Sequence, residues 1–155
     1  MDAMQIPTGE FLLSTPDETF NLGGRIGTAL IGGEVILLKG TLGSGKTLLT
    51  KGIVNELGFD VDEVTSPSFT LVNLYHAERF DVYHIDLWRI EDSRNAAFAV
   101  GLEEILENKK AIIIIEWAER LGEIKFDRNA ITIEISGDGD GTRKISIARN
   151  QENGE

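Results

Sequence analysis

Gly40, Gly43 and Gly45 lead into Lys46 and Thr47 in the stretch GTLGSGKT, a spacing that fits G-x-x-x-x-G-K-[ST]. In such a loop backbone N–H groups curl around phosphate oxygens, a lysine reaches the outer phosphates, and a hydroxyl is left for Mg²⁺. The nucleotide contacts would come from Gly40, Leu42, Gly43, Ser44, Gly45, Lys46, Thr47 and Leu48, with Lys46 neutralising phosphate charge and Thr47 giving one oxygen to the metal. A tight turn with an incidental surface lysine is the plainer alternative. The apolar run before the loop and the helical pattern after it favour phosphate binding, because an anion also needs a helix N-terminus facing it.

Phosphate chemistry of this kind requires a carboxylate close to the metal, commonly at the end of an aliphatic strand. Glu116 ends the run IIII and is the best candidate. Asp86, in YHIDLWR, is an acid inside an otherwise apolar segment, where an unpaired ion would be costly. The residues alone leave it divided between a structural pair with Arg89 and a second metal-side carboxylate. His84, two residues earlier, reads as packing with a hydrogen bond more readily than as a ligand or base. Trp88 and Trp117 read as core or partner surface, and Glu103, Glu104 and Glu107 as a solvated helix face.

The elements that must position these groups follow from periodicity. Thr15-Pro16-Asp17-Glu18 has the form of a capped helix start, with Leu22, Ile26, Ala29 and Leu30 on one face and Gly32-Gly33 as its end. Val35 to Lys39 reads as a buried strand, and Lys46 to Leu57 as a helix stopped by Gly58. Ser66-Pro67-Ser68 is a loop, followed by an antiparallel pair of strands at Phe69 to Tyr75 and Val82 to Leu87. Asp92 or Ser93 opens a helix through Val100, and Leu102 to Glu107 adds a turn or two. Ala111 to Ile115 has the uniform aliphatic character of a parallel strand covered on both faces, which makes it the expected sheet centre. Ile131, Ile133 and Ile135, then GDGDG, then Ile145 and Ile147 predict a terminal hairpin. The expected fold is a three-layer α/β P-loop nucleoside triphosphatase, with a mostly parallel central sheet plus antiparallel strands, in one domain over residues 1–149 and with a disordered tail over 150–155.

Composition narrows the partners. With 15 Lys and Arg against 26 Asp and Glu the net charge is −11, which repels phosphate backbones and argues against tight nucleic-acid binding by this chain alone. Cysteine is absent, so thiolate metal sites and cysteine nucleophiles are excluded. The first residues, MDAMQIPTGE, lack a basic and an apolar region, and no run is long enough to span a bilayer; a soluble cytoplasmic protein is expected.

Taken in order, PDETFNLG, GTLGSGKT, SPSFTLVNLY, HIDLWR, GLEEIL and IIEWAER resemble the bacterial TsaE family, small P-loop ATPases needed to make threonylcarbamoyladenosine in tRNA. The resemblance spans roughly Thr15 to Ile147. It departs from the family's usual residues at Thr41, Ser44, Ser68, Trp88 and Ala118, where Asp, Ala, Thr, Tyr and Pro are usual, without removing a chemical group the site needs. It implies ATP and Mg²⁺ as cofactors, catalytic roles for Lys46, Asp86 and Glu116, and the metal at Thr47, Glu116 and Asp86. It also implies a switch-like loop carrying Ser66, Pro67 and Thr70 next to the γ-phosphate, and Thr19 near the base. The implied partner is a two-protein threonylcarbamoyl-transferase complex that ATP hydrolysis resets, with tRNA engaged only indirectly and no membrane.

Three other functions fit parts of the pattern. A GTPase would suit the SPSFT loop, but the only near match to a guanine-reading Asn-Lys-x-Asp is Asn108-Lys109-Lys110-Ala111, which lacks the aspartate. A small-molecule kinase would want a long basic lid, and none is evident. A nucleotide-dependent binding module with incidental turnover is separated poorly by sequence.

Overall fold

Thr15 opens the first helix of the computed structural model, which describes residues 5–40, 45–65, 71–90, 93–122, 124–137 and 141–150. Its hydroxyl accepts from the Glu18 N–H at 3.2 Å, and Pro16 occupies the first turn of α1 (Pro16–Ala29), where its missing N–H costs nothing. At the other end Arg79 donates to the carbonyls of Gly27 at 3.1 Å and Leu30 at 2.7 Å. The orphan carbonyls of the last turn are thus satisfied by a cation that also suits the helix dipole.

Strands β1 (Gly9–Leu13), β2 (Val35–Gly40), β3 (Val72–His76), β4 (Asp81–Asp86), β5 (Ile112–Glu116), β6 (Ala130–Ser136) and β7 (Arg143–Arg149) form one sheet in the order β1-β7-β6-β2-β5-β4-β3. The block β6-β2-β5-β4 is parallel, and β1, β7 and β3 add antiparallel edges. Every residue of β5 is buried, as expected of a parallel strand covered on both faces.

The helices take opposite sides. Leu22, Ile26, Leu49 and Ile53, from α1 and α2 (Lys46–Glu56), pack with Ile36, Leu38, Ile112 and Ile114 on one face. On the other, Ala96, Leu102, Ile105 and Leu121, from α3 (Ser93–Ala99), α4 (Leu102–Ile105) and the 3-10 turn Ala118–Leu121, cover Val35, Ile85, Ile113 and Ile115. This is the three-layer α/β fold expected.

Two glycines let α1 and α2 touch backbone to backbone. A Cβ on Gly23 would lie 2.5 Å from the Leu49 carbonyl oxygen, and one on Gly52 would lie 2.1 Å from that of Phe20. No side chain fits at either point, so the helix that follows the glycine-rich segment is fixed against α1.

Four expectations need correction. The sheet centre is β2, with β5 beside it, because β6 continues the sheet beyond β2. Gly9–Leu13, read as no element, is an edge strand whose partner lies at the far end of the chain. Leu87 falls outside the strand ending at Asp86. Asn150 is not part of a loose tail: its N–H donates to the Ala130 carbonyl at 2.8 Å and its Oδ1 accepts from Thr132 at 2.6 Å. Residues 151–155 lie outside the described residues. Among the described residues no helix is long and apolar enough to cross a membrane.

Candidate functional site

The carboxyl ends of three neighbouring parallel strands meet at one place. In the ladder Leu38 of β2 pairs with Glu116 of β5, which pairs with Asp86 of β4. Alternation along β4 and β5 puts Asp86, His84 and Glu116 on the face carrying Val82, Ile112 and Ile114, the side covered by α1 and α2. Both carboxylates are buried, at 3% exposure each. They therefore need cationic or hydrogen-bonding company.

Part of that company is Lys46 at the start of α2. Its Nζ donates to the Gly40 carbonyl at 2.8 Å and lies 4.3 Å from the centre of the Trp117 ring. Burial pushes the ammonium below its ordinary value, and the charges of Glu116, Glu119 and Asp86 oppose that shift in that order. The three acids favour the charged form that phosphate binding requires. Glu119 thus shares in the field on Lys46. Asp86 Oδ1 accepts from the Trp88 N–H at 2.9 Å, which fixes the carboxylate against its own chain.

Two non-glycine residues bordering the site have left-handed backbones, Leu71 at φ 70° and Trp117 at φ 59°. Such a conformation costs an L-residue roughly 1–2 kcal/mol. Trp117 turns the chain sharply after Glu116 and lays its indole beside Lys46. The Trp88 ring lies tilted against it at 43° with centroids 4.7 Å apart, and the Arg120 guanidinium lies 5.6 Å from the Trp117 ring.

His84 is fully buried and hydrogen-bonded at both ring nitrogens. Its Nε2 is 2.5 Å from Glu116 Oε2 and its Nδ1 3.0 Å from Tyr75 Oη. The available signal was parity: two residues before Asp86 in a strand means the same face.

Of the other sequence-predicted residues, Gly45 caps α2 at φ 111° and Thr47 and Leu48 follow it, half-buried, in the first turn. Thr19 is buried behind this turn, its Cγ2 being 3.9 Å from where a Cβ on Gly45 would stand. Gly40 supplies the carbonyl that holds Lys46. Leu42, Gly43, Ser44, Ser66, Pro67 and Thr70 lie outside the described residues.

Among the described residues no group of three His, Cys, Asp or Glu could hold a metal. The donors present, Thr47 hydroxyl with Asp86 and Glu116 carboxylates, are oxygens and few. They suit Mg²⁺, which keeps waters and takes phosphate oxygens to fill its shell. A cavity of about 800 Å³ lined by Gly33, Lys109, Arg128 and Arg149 opens instead at the amino ends of β2 and β6, away from these groups.

A parallel α/β sheet with a helix springing from its central strand's glycine loop, and acids at the adjoining strand ends, defines the P-loop class of α/β proteins. The family model for "Threonylcarbamoyl adenosine biosynthesis protein TsaE" matches residues 13–145, and the chain belongs to the TsaE family, whose proteins take part in tRNA threonylcarbamoyladenosine biosynthesis. A tRNA threonylcarbamoyladenosine biosynthesis protein TsaE of Nostoc sp. is 39% identical over 72% of this chain and 69% of its own length. Those of Treponema pallidum and Aquifex aeolicus are each 35% identical, covering 84% and 90% of this chain and 93% and 96% of their own lengths. The crystal structure of Bacillus subtilis YdiB superposes with a TM-score of 0.69 at 26% identity, covering 92% of this chain and 86% of that one.

Proposed function

We propose that the chain hydrolyses ATP with Mg²⁺ and that this hydrolysis resets a two-protein threonylcarbamoyl-transferase complex between turnovers. One observation carries the enzymatic part: two buried carboxylates, paired in register at adjacent strand ends, whose charges act on the lysine of the glycine loop. In this reading the N-terminus of α2 and the backbone from Gly40 to Thr47 bind the β- and γ-phosphates, and Lys46 leaves the Gly40 carbonyl to neutralise them. Asp86 and Glu116 hold and orient the attacking water and, with Thr47 Oγ1, the metal; Mg²⁺ when bound supplies charge neutralisation at the phosphate oxygens. Water adds to the γ-phosphorus, its bond to the bridging oxygen breaks, and ADP and inorganic phosphate leave.

The GTPase alternative loses support from the ladder. Gly33 N–H donates to the Lys110 carbonyl at 3.1 Å, so Asn108 to Ala111 lies where β2 and β5 begin, at the opposite end of the sheet from Lys46. A base read there could not have its phosphates on the loop.

Steady-state hydrolysis of ATP and GTP, measured with the purified chain alone and with the two transferase proteins, tests the reading. ATP-selective turnover that rises with the partners is expected. Absence of turnover in both settings overturns the enzymatic reading, and absence of partner association in every nucleotide state overturns the resetting role. Filter binding of tRNA on the same preparation should show none at near-physiological salt, since a chain at −11 repels a polyanion. Tight capture would contradict an indirect role in RNA modification.

A further inference from the structure

A line of hydrogen bonds runs from the exposed Thr65, the residue before Ser66, through buried Tyr75 and His84 to Glu116. Tyr75 Oη donates to the Thr65 carbonyl at 3.1 Å and stands 3.0 Å from His84 Nδ1, and Asn73 Nδ2 reaches both Thr65 and Tyr75 at 3.3 and 3.4 Å. A phenol has one proton. With that proton on the Thr65 carbonyl, the Tyr75 oxygen is left to accept from the His84 Nδ1 N–H, and the contact between Nε2 and Glu116 Oε2 is then bridged by a single shared proton.

The strand geometry explains why this line reaches across three strands. Asn73 and Tyr75 on β3 face the same side as His84 and Val82, their ladder partners on β4, and His84 leans diagonally towards the end of β5. Tyr75 is itself wedged by Phe59, with ring centroids 4.7 Å apart. Nothing in the packing demands an imidazole at position 84. His84 sits at 0% exposure on the face that carries Val82 and Ile114, where a leucine would fill space without any polar atom to satisfy.

We propose that His84 is a positioning residue for Glu116, and that Tyr75 sets the turn of its ring. Holding Oε2 leaves Oε1 as the oxygen offered to water or metal and prevents the carboxylate from closing onto Lys46 as a plain ion pair. The role rests on the reading of Glu116 as a site carboxylate given above. It ties Thr65, the residue before the SPSFT segment, to the orientation of that carboxylate.

Two substitutions at one position separate positioning from packing. In His84→Gln the amide nitrogen can reach Glu116 in place of Nε2, and in His84→Asn it is one methylene too short. Single-turnover hydrolysis at saturating ATP should fall about tenfold or more in His84→Asn, with nucleotide affinity within about twofold of the unmutated chain, and His84→Gln should recover most of the rate. Tyr75→Phe should fall between them. In a Glu116→Gln background His84→Asn should add less than about a twofold loss, because both changes remove one interaction. Equal rates in His84→Asn and the unmutated chain, equal losses in Asn and Gln, or full additivity with Glu116→Gln would each overturn the positioning role alone. No hydrolysis by the unmutated chain, with or without partners, would overturn the enzymatic reading and this role with it.

Discussion

The Lys46 ammonium is clasped between the Gly40 carbonyl, at 2.8 Å, and the face of Trp117, at 4.3 Å. A cation over an indole gains about 0.5–2 kcal/mol, and a carbonyl acceptor adds a charge-assisted hydrogen bond. Phosphate oxygens must compete with both.

Lys46→Ala should therefore weaken ATP binding sharply, each lost charge-assisted contact being worth about 1.5–3 kcal/mol. Trp117 and Trp88 are the two tryptophans of the chain, so Trp88→Phe isolates the indole beside Lys46. Adding ATP should change its fluorescence as the ammonium turns to the phosphates. Unaltered nucleotide binding in Lys46→Ala, measured by titration calorimetry, would remove the loop from the site.

Glu116→Gln keeps the shape of the side chain and removes its charge. It should lower single-turnover hydrolysis about tenfold or more, a barrier change of at least ~1.4 kcal/mol, while leaving thermal unfolding close to that of the unmutated chain. Glu119 is exposed, and its charge contributes to the field on Lys46. Glu119→Gln should cost less than about threefold, because exposed charges are screened. Equal losses from the two substitutions would deny Glu116 a special place.

Gly52→Ala tests the contact that holds α2. Alanine is favoured over glycine in a helix by about 1 kcal/mol, yet the added methyl would meet the Phe20 carbonyl at 2.1 Å. Overpacking of this kind costs about 1–3 kcal/mol, and a backbone atom gives way less readily than a side chain, so net destabilisation is expected. Gly24→Ala is the control: its nearest neighbour stands 3.7 Å away, so it should stabilise by about 0.5–1 kcal/mol. Urea unfolding of the two variants reads the difference directly.

Burial raises the Tyr75 phenol above its ordinary 10.0, and the Asn73 amide, which donates to the phenolic oxygen, opposes that shift. The stabilisation this represents is fully present below pH 10.0 and is lost as pH rises through the folded-state value, because the unfolded phenol gives up its proton first. Stability should thus decline on the alkaline side, and Tyr75→Phe should flatten that decline. Tyrosinate absorbance should also show one of the two tyrosines, Tyr75 and Tyr83, ionising late in the folded protein.

Much of this was legible in the sequence because it is local. The cap at Thr15, the apolar stripe of α1, the run IIII and the loop before Lys46 each announce themselves within a dozen residues. Gly23 and Gly52 did not, since a backbone contact between helices leaves no apolar signature. The strand Gly9–Leu13 has only Phe11 and Leu13 alternating, and its partner lies at the other end of the chain. Glu116 could be singled out as a strand-end acid, but its bond to His84 depends on β4 lying beside β5 in a particular register. The same dependence hid the field of Glu119 on Lys46. A helical turn after a left-handed Trp117, not sequence spacing, brings it there.

The strand order 1-7-6-2-5-4-3 sets a timetable for synthesis. β2, which carries the glycine loop, has neither neighbour until Ile112–Glu116 has left the ribosome, and β1 waits for its partner until Arg143–Arg149 has followed. Gly9 and Ile147 are 147 − 9 = 138 residues apart, and at ~5–20 residues per second that delay is about 7–28 s. A nascent chain stopped before Ile112 has its glycine loop outside but no parallel strand beside β2 to brace it. A nucleotide held by that loop would therefore stabilise the chain only late in translation, when β5 has docked and brought Glu116 with it.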